Sequence, residues 1–285
     1  MDIKVLREER PISKINWFFL VTIVWSILVQ FLPIPENFYQ YVAFLIPISI
    51  YLFINKSNAE RILKPDTLNF SSGLIIFLIW LTSLPLLFFL VELYVHFFGS
   101  TLADIVSQDS HESFIINFFF VAMTPAILEE ILMRGIILDG YRNKSKIVAA
   151  AMNGLMFGML HLNSFQFFHT FIAGFISSIV VFATNSIFAG MFIHVINNGL
   201  PLIVNYLFPI DSSIQYVEST NFFSLGISAL FGIIFAISLI RLLFKVNNRN
   251  IKENVELSTE RIFTFPLFLS IIIFLGFSIL IIFSI

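Results

Sequence analysis

Cysteine is absent from the 285 residues. That excludes a disulfide framework, a thiolate metal site and a cysteine nucleophile. Charge is scarce: 12% of the residues are Asp, Glu, Lys or Arg, against about a quarter in an ordinary soluble domain. No basic patch with interleaved aromatics occurs, which excludes nucleic acid as a partner. There is no internal repeat, no low-complexity linker and no polar stretch long enough to form a separate soluble domain. The first residues, MDIKVLREERPISK, carry both signs of charge and no small-residue cleavage site, so 1–14 reads as a retained cytosolic segment rather than a signal peptide.

What fills the chain instead is apolar. Hydrophobic residues make up 58% and the mean hydropathy is +0.93, too little polar surface to face water on all sides. The chain reads as a single all-α domain over 1–285, a polytopic transmembrane helical bundle in the lipid bilayer. Apolar runs near 15–33, 41–54, 73–98, 114–137, 147–162, 165–183, 187–208, 222–244 and 263–283 predict nine spans, or eight if one of the short ones does not cross. The connections HLNS and TNS are tight enough to make neighbouring helices antiparallel. The abundance of Phe, Ile and Asn points to an AT-rich genome, and so to a bacterial plasma membrane.

The charges test this count. Lys4, Arg7, Arg10 and Lys14 precede the first run, Lys56, Arg61 and Lys64 follow the second, and Arg142, Lys144 and Lys146 follow the fourth. Arg241, Lys245, Arg249, Lys252 and Arg261 surround the loop after the eighth. The intervening loops carry acids only: Glu36; Asp104, Asp109 and Glu112; Asp211 and Glu218. Every basic residue except Arg134 thus falls on one side of an alternating topology. The positive-inside rule makes that side, and the N-terminus, cytosolic.

Against this background AILEEILMRG, residues 126–135, stands out, because charge at membrane depth is expensive and is kept for pairing or for function. Glu130 and Arg134 are four apart, share a helix face and can pair. Glu129 points about 100° away and has no partner in its own helix. Pro125, just before the pair, removes one backbone bond and frees a carbonyl. Two other runs answer with imidazoles. NGLMFGMLH places Phe157 four residues before His161, on a helix whose Ala150, Gly154 and Gly158 form a small face for close helix packing. In SIFAGMFIHVINNG, residues Ser186, Gly190, His194 and Asn198 form one stripe. At 1.5 Å per residue the two glutamates lie roughly 12–15 Å from the cytosolic helix end, His194 and Asn198 about 10–16 Å and His161 about 20 Å. These depths predict one polar cavity open to the cytosol, within a core of about 114–208. His169 is a candidate supporting residue. His96 and His111 read as interfacial or loop residues.

EExxxR at 129–134, FxxxH at 157–161 and HxxxN at 194–198 resemble the CPBP family of CAAX-type intramembrane endopeptidases and bacteriocin-processing enzymes, also labelled Abi. The resemblance covers roughly residues 115–205. It implies that Glu129 activates water, His161 assists, His194 and Asn198 stabilise an oxyanion, and Glu130, Arg134 and Phe157 support the site. The substrate it implies is a membrane-embedded or lipidated protein or peptide. Both a metal-free glutamate mechanism and a zinc mechanism, with Glu129, His161 and His194 as ligands of one Zn²⁺, have been argued for that family. The residues here are compatible with either. Two other classes fit the same polar groups: a catalytically silent scaffold or immunity protein, and a proton-coupled transporter.

Overall fold

A computed structural model describes residues 11–106, 112–209, 221–251 and 258–284. Lys4, Arg7, Arg10, Asp109, His111, Asp211, Glu218 and Lys252 lie outside the described residues. The described chain is helical, and eight helices are long and apolar enough to cross a membrane: α1 (Pro11–Val29), α2 (Asn37–Ile54), α3 (Phe70–Phe98), α4 (Phe114–Gly140), α6 (Ser164–Thr184), α7 (Ile187–Leu207), α8 (Phe222–Val246) and α9 (Phe265–Ser284). The remaining apolar run is α5 (Lys146–Leu160), 15 residues long. Of the eight or nine spans expected, eight are long and apolar enough to cross, and α5 is the short run that is not. At 1.5 Å per residue α5 covers about 22 Å, short of the ~30 Å hydrocarbon core. It is buried along most of its length, so protein rather than lipid surrounds it.

The expected 1–14 segment is also shorter than its boundary, since Pro11 already opens α1. A first-turn proline suits a helix start, where its missing N–H would have no partner. The exposed N–H groups there are taken by a distant acid: Ser13 N and Ile12 N donate to the Glu260 carboxylate at 2.8 and 3.2 Å.

The basic loops converge on one end of the bundle, as their alternation predicts. Lys144 Nζ donates to the carbonyls of Ser258 and Glu260 at 2.6 and 2.7 Å, and Lys146 Nζ to that of Asn250 at 2.6 Å. Arg61, on a short helix Ala59–Leu63, donates to both Asp139 oxygens at 2.5 and 2.6 Å. Asn16 joins Tyr141 to the start of α9: Tyr141 donates to its Oδ1 at 2.6 Å, and its Nδ2 reaches Ile262 O and Thr264 Oγ1.

The small face of α5 does what its spacing predicts. A Cβ on Gly154 would lie 2.6 Å from Phe171 O, and one on Gly158 would lie 2.9 Å from Phe167 O. The backbones of α5 and α6 meet there with no room for a side chain. The HLNS connection is as tight as expected. Leu162 takes φ +56°, a left-handed conformation that costs about 1–2 kcal/mol for a residue with a Cβ. Asn163 holds the turn, accepting from Gln166 N at 2.8 Å and donating to His161 O at 2.9 Å.

Candidate active site

The two glutamates sit between two distorted turns of α4, and Arg134 lies within the second. Phe118–Met123 and Ile131–Ile137 are wound as π-helix, flanking a regular segment, Thr124–Glu130. Such turns loosen the backbone ladder and are common at functional sites. The carbonyls they weaken take side-chain donors. Asn153 Nδ2, from α5, reaches Met133 O at 2.6 Å, and Lys64 Nζ reaches Arg134 O at 3.2 Å. Asn153 is fully buried and in turn accepts from Ser178 at 2.9 Å.

Glu130 is the hub. Its Oε1 lies 2.9 Å from Arg134 Nη1, the expected same-face ion pair, and 2.9 Å from His194 Nδ1 on α7. Ser177 of α6 donates to its other oxygen at 3.2 Å. Side chains from three helices thus meet on one carboxylate. Arg134 is clamped further: Nη2 donates to Gly174 O at 3.4 Å, and the guanidinium lies 4.4 Å from the Phe157 ring centroid. That cation–π contact is strengthened by exclusion of water. Arg134 Nε has no acceptor among the described residues, as expected of a group held by charge and packing rather than by a full hydrogen-bond set.

Glu129 differs. It is 8% exposed and forms no hydrogen bond or ion pair among the described residues. Its carboxylate borders a cavity of about 650 Å³. Phe157, His161, His194 and Asn198 line the same cavity, with Glu130 and Arg134 at its inner end. All seven residues singled out from sequence therefore surround one space. His161 closes α5, and its Nδ1 lies 2.9 Å from Phe157 O. A carbonyl can only accept, so Nδ1 carries the proton and Nε2 holds a free lone pair. The Phe157 ring stands edge-on to both imidazoles, at 5.0 Å from His161 and 6.0 Å from His194. Asn198 donates to Val121 O at 3.1 Å and accepts from Asn197 at 3.2 Å. One of its two amide hydrogens remains uncommitted.

Sequence reading missed Ser177, Asn153, Asn197 and Trp80, whose Nε1 donates to Asn197 Oδ1 at 3.2 Å. Each is polar in an apolar run, which was the available signal. What identifies it is the neighbour it meets, and that comes from another helix. His169 lines the cavity. His96 packs between Phe97 and Phe222, outside it.

The zinc set fares less well than the polar cluster. Among the described residues no three of His, Cys, Asp and Glu gather closely enough to hold a metal ion. Glu129, His161 and His194 share a cavity but do not form a ligand set. The expected opening toward the basic loops is not seen either. The lining residues extend from the ion pair the other way, through Asn198 and Pro201 of α7 and Gln166 and His169 of α6.

Residues 111–200 match the family model described as type II CAAX prenyl endopeptidase Rce1-like. That stretch contains all three motifs, so the resemblance drawn from them holds. No curated protein and no solved structure matches the chain. Eight apolar helices, with a match over 111–200 to a family of membrane proteases, make this an integral, multi-pass membrane protein.

Proposed function

We propose that the protein is an intramembrane endopeptidase that cleaves a membrane-associated or lipidated polypeptide through a water molecule activated by Glu129. One observation carries this reading. A buried carboxylate with no hydrogen-bond or ion-pair partner among the described residues faces a cavity that also presents two imidazoles and a carboxamide.

The chemistry follows from what each group has left to offer. Glu129, not held by a hydrogen bond or ion pair among the described residues, takes a proton from water as the water oxygen attacks the scissile carbonyl carbon. His161 Nε2, a lone pair held by the Nδ1–H bond to Phe157 O, accepts a hydrogen bond from that water, and the proton Glu129 has taken passes to the departing amine as the C–N bond breaks, returning Glu129 to the carboxylate. The carbonyl oxygen gains negative charge as the carbon becomes tetrahedral. The spare amide hydrogen of Asn198 is a donor for it, as is the Nε2 edge of His194 when that ring is protonated. Glu130 fixes the His194 ring through Nδ1, and Arg134 balances the Glu130 charge. Glu130, Arg134 and Phe157 therefore position rather than react. Because Glu129, His161 and His194 do not gather as ligands, no step is routed through a metal ion.

The scaffold and transporter readings have no comparable support. A scaffold gives no reason to leave Glu129 without a hydrogen-bond partner among the described residues, and the sequence has no internal repeat of the kind that transporters are built from.

The test is cleavage by the purified protein in liposomes. Membrane peptides are presented to the native chain and to Glu129→Gln, and products are identified by mass spectrometry. The expected result is products from the native chain alone. Equal products from both would remove the proposal.

A further inference from the structure

We propose that the cavity is entered from the end of the bundle that carries the acid-only loops, by an extended and uncharged stretch of polypeptide. The substrate class rests on the endopeptidase reading; the direction of entry does not.

The basic end is closed. From Leu132 to Tyr141 every residue of the chain is buried. Beneath them a short segment acts as a plug. Lys64 O accepts from Ile187 N at 3.0 Å and so caps the start of α7, while Lys64 Nζ bonds the backbone of Arg134. Pro65 pairs with Ser186, and Asp66 receives both Ser186 Oγ and Asn185 Nδ2. Ile62, Ser186 and Ile187 are at most 4% exposed.

The other end is where the cavity runs. Its walls use the first turns of α2, α4 and α6, at Asn37, Asn117 and Gln166, and the later part of α3 out to Val91. Each is the part of its helix remote from the Lys56–Lys64 and Arg142–Lys146 loops. At those helix ends Asn37 is exposed and Asn117 and Gln166 are half-buried. By the distribution of basic residues this is the extracytosolic half.

The lining defines the occupant. Apart from Glu129, Glu130 and Arg134, the lining holds no Asp, Glu, Lys or Arg among the described residues. It does hold six carboxamides: Asn37, Gln40, Asn117, Gln166, Asn197 and Asn198. Gln40 Oε1 is buried without a donor among the described residues. Every peptide unit brings one donor and one acceptor, which must be satisfied once out of water. A carboxamide offers both; Asn197, Asn198 and Gln166 spend part of that capacity on protein partners, and the donors and acceptors left over suit exposed main chain. A Lys or Asp side chain in the same place would lose its water without finding a counter-ion.

The chain has no cysteine, so single cysteines report access without background. Ser83→Cys and Ala173→Cys place thiols in the cavity wall, clear of the proposed reacting groups. Ser100→Cys and Ser57→Cys mark the two faces of sealed vesicles. A small impermeant cationic thiosulfonate is expected to modify the cavity thiols from the Ser100 side alone, and Ala183→Cys, nearer the basic end of α6, from neither side. Modification of the cavity thiols from the Ser57 side, or from neither, overturns the proposed entry. In a second arm, an uncharged peptide of alternating Val and Asn is expected to slow labelling about tenfold. The same peptide with a central Lys should not. Equal protection by both, or by neither, overturns the proposed occupant. No cleavage is measured in either arm, so loss of the endopeptidase reading in the Glu129→Gln test leaves these outcomes intact, and the reverse holds.

Discussion

Gly190 stands where any side chain would strike the Glu130 carboxylate. A Cβ built there overlaps Glu130 Oε2, and Val181 leaves only 3.2 Å on the other side. The glycine is therefore needed for closeness rather than for an unusual backbone, lying within α7. Gly190→Ala is expected to displace the carboxylate from His194 and Arg134. Cleavage should fall by about 10²-fold, as for other misplacements of a site by an ångström. The check is kcat in liposomes, with circular dichroism to show that the helices persist.

The two adjacent glutamates should fail in different ways. Glu129 bonds to nothing among the described residues, so Glu129→Gln is expected to leave thermal unfolding in detergent unchanged while cleavage drops about 10²–10⁴-fold, the usual share of a general base. Glu130→Gln leaves a fully buried Arg134 without its counter-charge, which costs about 3–5 kcal/mol. That variant should unfold at clearly lower temperature, and adding Arg134→Met should recover part of the loss. Equal unfolding temperatures for both single variants would contradict the separation of roles.

Asn153 is a prediction about stability alone. It touches the Met133 carbonyl that the second π-turn leaves weakly bonded. The same carbonyl also accepts the Leu138 N–H, so Asn153→Leu, which keeps the volume and removes the donor, is expected to cost about 0.5–1.5 kcal/mol, the net worth of one hydrogen bond. Denaturant titration of the reconstituted protein measures it, and Asn153→Asp, which also loses the donor, should be no better.

Lys64 carries the pH dependence. Burial, with a smaller push from Arg61, lowers its ammonium to about 8 from the ordinary 10.5, against a pull from Asp139. A folded pKa below the unfolded one means the fold prefers the neutral amine. The penalty for charging it is present in full below pH 8 and is relieved as pH rises from 8 to 10.5. Stability contributed by this residue should therefore increase across that window. Acetylation followed by mass spectrometry should show Lys64 reaching half-maximal reactivity near pH 8, with solvated lysines about two units higher.

Metal removal gives a separate check. With no ligand set among the described residues, dialysis against a strong chelator is expected to leave cleavage unchanged. Activity lost on dialysis and restored by added Zn²⁺ would require a rearrangement of Glu129, His161 and His194.

Much of this molecule is legible in its residues because two constraints act locally. Lipid demands long apolar helices with internally bonded backbone, so the spans, and the charge alternation between them, can be read from composition along the chain. The spacing of four marks which polar groups share a face, and by itself it picks out the Glu130–Arg134 pair and the small face of α5. Tertiary structure decided what spacing cannot reach. That α5 is surrounded by protein rather than lipid follows from its burial by neighbours. That Glu130 rather than Glu129 takes His194 depends on how α4 and α7 pack against each other. The plug at Lys64–Asp66 and the direction of the cavity depend on segments far apart in sequence meeting at one end. Periodicity reports which way a side chain points around its own axis. Only packing between helices determines what it meets there.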